Sequence, residues 1–157
     1  PRSLVGVHDW LGRVPDPTLV DARTRGNAQN GKLLRGAPLR AARAAEPRMR
    51  KRIGAIFDTY DVVLAPTTAT PPIMATAIDG IGGWDTDKVM TGACPYAWPW
   101  NVLGWPSVNV PAGFSKAGLP IGAQLMGNEN TEPLLVSLAS QLESVLRWDQ
   151  IRPEPWW

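Results

Sequence analysis

Two short apolar runs, Ser107–Val110 and Ile121–Met126, flank a turn-forming stretch, Ser115–Gly118, and this spacing constrains the chain more than any other feature. Strand-length apolar runs bracketed by Pro, Gly and Asn read as buried strands rather than helices. A periodic segment opens just beyond them, near Thr131. Thr131 is suited to cap it, and Pro133 is tolerated in a first helical turn. Leu134, Leu135, Leu138, Leu142, Val145 and Leu146 then form one apolar face, predicting a helix over 131–147. Pro153 and Pro155 block any continuation, so 148–157 is expected as an irregular, Trp-rich tail.

Upstream, Met49, Ile53, Ile56, Phe57 and Tyr60 recur at helical spacing and predict a helix over 38–60. Pro47 removes a donor and should break it. Arg48, Arg50, Lys51 and Arg52 fall mostly off that stripe and read as a solvated face. Val62–Ala65 is a β-branched apolar run, the pattern of a strand covered on both faces in a parallel or mixed sheet. Thr67–Pro72 then leaves the sheet, since consecutive prolines cannot feed a central ladder. Ile73–Gly92 reads as a long connection, with Gly80, Gly82 and Gly83 as a structural turn. Residues 1–30 lack a sustained period and are expected to be irregular, apart from a short helix around Asp16–Ala22. Helices over 38–60 and 131–147 with strands and loops over 61–127 between them suit the α/β class.

A length of 157 residues with 44% apolar and 19% charged residues suits a single globular domain. A net charge of +2 generates no strong field, so neither nucleic acid nor an anionic membrane is indicated as a partner. No run approaches the roughly 20 apolar residues of a membrane span. One cysteine, Cys94, forms no internal disulfide and suits a reducing, cytoplasmic setting. His8 lies beside Asp9 in a loop-like stretch and reads as a surface histidine; no residue pattern indicates a metal or a cofactor.

Four segments in order resemble the C-terminal part of an amidase-signature hydrolase. They are Tyr60-Asp-Val-Val-Leu-Ala-Pro-Thr67, Trp100-Asn-Val-Leu-Gly-Trp-Pro106, Val108-Asn-Val-Pro-Ala-Gly113 and Gly118-Leu-Pro-Ile-Gly-Ala-Gln124. Arg23-Thr-Arg25 with Gly31 resembles the segment before that family's long helix. The resemblance implies that residues 1–157 are the C-terminal part of one α/β/α domain, built on a mixed, twisted sheet flanked by helices. It also implies hydrolysis of a carboxylic amide through a Ser–cis-Ser–Lys triad. A weakly nucleophilic serine needs a base, and a lysine serves only where its neutral amine is favoured.

That machinery is missing from the sequence. The family's Gly-Gly-Ser-Ser-Gly-Gly segment has no counterpart, because no Ser-Ser dipeptide occurs. Lys32, Lys51, Lys88 and Lys116 lie outside the setting of the family base. No catalytic residue is therefore assigned, and the chain alone is expected to be inactive.

What the resemblance does imply is a wall of the substrate pocket, formed by the loop Ala93–Trp100. Cys94, Tyr96, Trp98 and Trp100 are the candidate substrate-binding residues. The family's glutamine-using subunits carry an acidic residue seven positions before the asparagine equivalent to Asn101, where this chain has the neutral Cys94. An apolar or aryl amide is thus expected over glutamine. Two other readings stay open: a non-catalytic module on the same fold, and a transamidation subunit. A sheet with uncovered edges further predicts either self-association or a tightly held N-terminal portion of the amidase.

Overall fold

The computed structural model describes residues 12, 16–33 and 35–150. His8 with Asp9, and the tail beyond Gln150, lie outside the described residues. The helices are α1 (Ala22–Leu33), α2 (Ala37–Gly54), α3 (Gly83–Ala93), α4 (Ala97–Leu103) and α5 (Glu132–Leu146). The strands are β1 (Val63–Pro66), β2 (Ser107–Phe114) and β3 (Pro120–Met126). The α/β class stands. The chain divides into two compact units, one of Pro1–Arg48 with Met74–Thr91, the other of Met49–Ile73 with Gly92–Trp157.

In the first unit a helix, α1, occupies much of a stretch expected to be irregular. Its sequence carries no apolar stripe, so periodicity could not reveal it. Its start is set by Asp21, whose carboxylate accepts from the Thr24 N–H and the Thr24 hydroxyl, both at 2.9 Å. Both bonds favour the charged form and hold the Asp21 carboxyl below the usual carboxylate range. Arg23 pairs with Asp87 of α3. Gly83, the first residue of α3, lies so close that a Cβ there would stand 3.2 Å from the Arg23 Cα. The expected glycine turn thus runs straight into a helix, with the Thr86 N–H donating to the Gly82 carbonyl at 2.9 Å.

α2 runs unbroken through Pro47, against expectation. A proline costs one backbone hydrogen bond and crowds one carbonyl. Downstream of it, Met49 and Ile53, with Phe57 in the 3-10 turn that follows, are held by packing in the second unit. Ile56 and Tyr60, also on the predicted stripe, stay exposed.

The sheet of the second unit has the order β1-β3-β2 and is antiparallel throughout. β2 and β3 form the expected hairpin. Its turn is closed by the Ser115 N–H to the Leu119 carbonyl at 2.8 Å and the Gly118 N–H to the Ser115 carbonyl at 3.0 Å. Gly118 sits at φ +76°, where a side chain would be strained. β2 continues beyond the predicted Val110 through Pro111 to Phe114. Proline is admissible there because β2 is an edge strand and the register shifts between Pro111 and Gly113.

Alternation along β3 sends its side chains to two cores. Met126 joins Trp100, Leu103 and Trp105 on one face, with Met49, Ile53 and Phe57 packed against them. Leu125 joins Val110 and Leu135 on the other, covered by α5. Thr131 stands at the N-cap of α5, but its hydroxyl donates back to the Asn128 carbonyl at 2.7 Å instead of capping the helix.

Candidate functional site

The segment expected to be a pocket-lining loop is largely helical. Cys94 is half-buried, Tyr96 stands at the N-cap of α4, and Trp98 and Trp100 lie on α4 itself. A helix turns about 100° per residue, so side chains two apart face nearly opposite ways. Trp98 is accordingly 54% exposed and Trp100 only 7%. Tyr96 is 40% exposed.

Trp100 is a core residue. Its indole N–H donates to the Gly127 carbonyl at 2.8 Å. Its ring meets Phe57 and Trp105 edge-on, with centroids 6.3 and 5.8 Å apart. Phe57 and Trp105 complete the triangle at 5.8 Å, a mutual T-shaped arrangement that suits the ring quadrupoles. Gly54 admits the Trp105 ring, since a Cβ there would lie 3.3 Å from the indole edge.

The Asn101-Val-Leu-Gly-Trp-Pro106 motif is physically the end of this helix. Gly104 takes φ +68°, which lets the Gly104 and Trp105 N–H groups both turn back onto the Trp100 carbonyl. Pro106 and Ser107 then lead into β2. Arg50, expected on a solvated face, closes the same helix end. Its Nη2 donates to the Leu103 carbonyl at 2.7 Å, and its guanidinium lies 5.4 Å over the Trp105 ring. Its Nη1 lies 3.4 Å from the Glu129 carboxylate. The sequence signal for it was its place beside Met49: a long side chain at the margin of an apolar stripe lays its stem on the core and sends its head to the rim.

A polar strip crosses the same sheet face. Gln124, 4% exposed, donates to the Ser107 hydroxyl at 3.0 Å, and the Thr67 hydroxyl donates to the Asn109 side chain at 3.2 Å. Among the described residues, the Gln124 Oε1 and the Trp105 Nε1 are buried without a partner. A groove of about 890 Å³ runs past Thr67, Val110, Phe114, Ile121, Leu146 and Trp148; none of the four candidate residues lines it. Among the described residues, no cluster of His, Cys, Asp and Glu could hold a metal ion. No described helix is long and apolar enough to cross a membrane.

The exposed rings of Trp98 and Tyr96 can recognise an apolar group. The chain matches one family along most of its length. The Amidase family profile matches residues 3–136, and the chain belongs to that family. It is 52% identical over 156 residues to AmiA2 of Mycobacterium tuberculosis, a protein named as an amidase, covering 99% of this chain and 32% of AmiA2. AmiB2 of the same organism is 37% identical over 153 residues, with 98% and 33% covered.

The 6-aminohexanoate cyclic dimer hydrolase, solved with its substrate, superposes with a TM-score of 0.74 at 23% identity, over 98% of this chain and 33% of that one. A bacterial aryl acylamidase of the amidase-signature family does so at 0.61 and 20%, over 95% and 31%. These two share the fold. The chain spans about a third of the length of the curated relatives it matches.

Proposed function

We propose that this chain is the C-terminal part of a single amidase domain. In that reading the complete protein hydrolyses a small apolar or aryl carboxylic amide to acid plus ammonia or amine. The attacking serine, its relay serine and its lysine base lie outside these 157 residues. The chain contributes recognition, through the exposed ring of Trp98, the half-exposed ring of Tyr96 and the half-buried side chain of Cys94. Trp100 supports them from behind as core. The carrying observation is Trp98: a large ring held on a capped helix and left open beside a buried twin. A cysteine in place of a carboxylate at position 94 lacks the partner a substrate ammonium would need, which argues for an apolar amide over glutamine. The isolated chain is inactive, and the complete enzyme works in the cytoplasm, a setting that suits the free thiol of Cys94.

Steady-state kinetics of the full-length protein on aryl, aliphatic and glutamine amides test this reading. Aryl amides should be turned over best. Trp98→Ala should raise their KM about tenfold, the equivalent of about 1.4 kcal/mol of lost contact. Preferential glutamine hydrolysis, or an unchanged KM in Trp98→Ala, would overturn it.

A further inference from the structure

We propose that Arg50 is a positioning residue, which sets the seating of α4 and thereby the placement of Trp98 toward the substrate. The inference rests on the reading of that ring as pocket wall. α4 has seven residues, fewer than two full turns, and a helix of that length does not persist by its own hydrogen bonds. Its orientation is therefore set by what grips it. Trp100 and Leu103, both buried in one core, grip it by their side chains, and Gly104 ends it.

Arg50 adds a third hold, from a helix more than fifty residues earlier, on a last-turn carbonyl. Such carbonyls lack helical partners and carry the negative end of the helix dipole, so a guanidinium there is favoured twice over. The same guanidinium lies over Trp105 and within reach of Glu129, just beyond β3. One planar group thus ties together α2, the end of α4 and the segment entering α5. Releasing the Leu103 carbonyl loosens the last turn of α4 on its two buried side chains, Trp100 and Leu103, and the shift is felt at Trp98, which the core does not hold.

Lysine keeps the charge and much of the stem but not the planar fork, which cannot be replaced by a point charge. Arg50→Lys in the full-length protein should raise KM for bulky aryl amides about three- to tenfold. It should leave kcat within twofold, and barely move KM for a small aliphatic amide that does not reach Trp98. A purely structural role would lower kcat and melting temperature together, with the ratio of the two KM values unchanged, and that result overturns the proposal. If Arg50→Lys fails to fold, Glu129→Gln, which loosens the same guanidinium from outside, should shift the KM ratio in the same direction by a smaller factor; no shift is again a refutation.

Hydrogen exchange of residues 97–103 separates the two proposals. In Arg50→Lys it should rise in α4 and not in α5, even where the wild-type protein hydrolyses no amide. Unchanged exchange in α4 would sink the role of Arg50 alone.

Discussion

At the scale of single residues, the glycines of the two motifs do different work. Gly104 has open space where a Cβ would go but holds φ +68°, so Gly104→Ala should cost only backbone strain, about 1–2 kcal/mol. Gly122 carries no such dihedral strain. A Cβ there would stand 2.6 Å from the Thr67 hydroxyl and 3.2 Å from the Thr67 Cβ, so the cost of Gly122→Ala is steric. That substitution must push Thr67 aside, breaking its bond to Asn109 and straining the link from the Thr67 N–H to the Gly122 carbonyl. Thermal melts of the full-length protein should show Gly122→Ala as the worse of the two. Thr67→Ala should recover part of the Gly122→Ala loss and none of the Gly104→Ala loss. Equal recovery in both backgrounds would show that the two glycines share one cause.

At the scale of elements, the first turn of α1 is capped by the Asp21 carboxylate, which makes that cap sensitive to acid. The Asp21 carboxyl is held below its ordinary range by bonds from Thr24, so its folded pKa lies under its unfolded one. Its stabilising contribution is complete above the ordinary carboxylate pKa of about 4, and drains away as pH falls through the lower folded value. Exchange at the amides of α1 should therefore quicken below about pH 4 in the wild type, and be fast and pH-insensitive in Asp21→Ala once intrinsic exchange is divided out. Loss at higher pH would assign the effect to another group.

α1 also shows where the sequence could and could not be read. The hairpin and α5 were legible because apolar period, turn residues and length agreed. α1 was not, because a cap specified it with no apolar face beside it. α4 was hidden by its own richness in tryptophan: rings suited to a pocket loop are equally suited to a short helix with one ring in and one out. The stretch that carries the four candidate residues was accordingly legible as aromatic-rich, but its helix was not. The division of labour between Trp98 and Trp100, and the part played by Arg50, depend on helix rotation and a partner 53 residues away, which no local pattern encodes.

At the scale of the whole molecule, the second unit is finished on some sides and not on others. β1 and β2 each pair only with β3 among the described residues, leaving both outer edges of the sheet without a ladder. Leu64 on β1 is 68% exposed and Phe114 on β2 is 55% exposed, while Val136 on α5 is also open. Open strand edges bearing apolar side chains template association. The relatives are about three times as long as this chain, and we expect their additional sequence to cover these faces. Residues 1–157 produced alone should therefore bind a hydrophobic dye and self-associate in sedimentation, whereas the full-length protein should do neither. Leu64→Lys sharpens the test, because a charge on an edge strand discourages pairing. It should reduce self-association of the isolated chain yet lower the folded yield of the full-length protein, where the same position is covered. An isolated chain that stays monomeric and dye-free, or a full-length Leu64→Lys that folds normally, would mean that these edges are true surface and that the unit is complete as it stands.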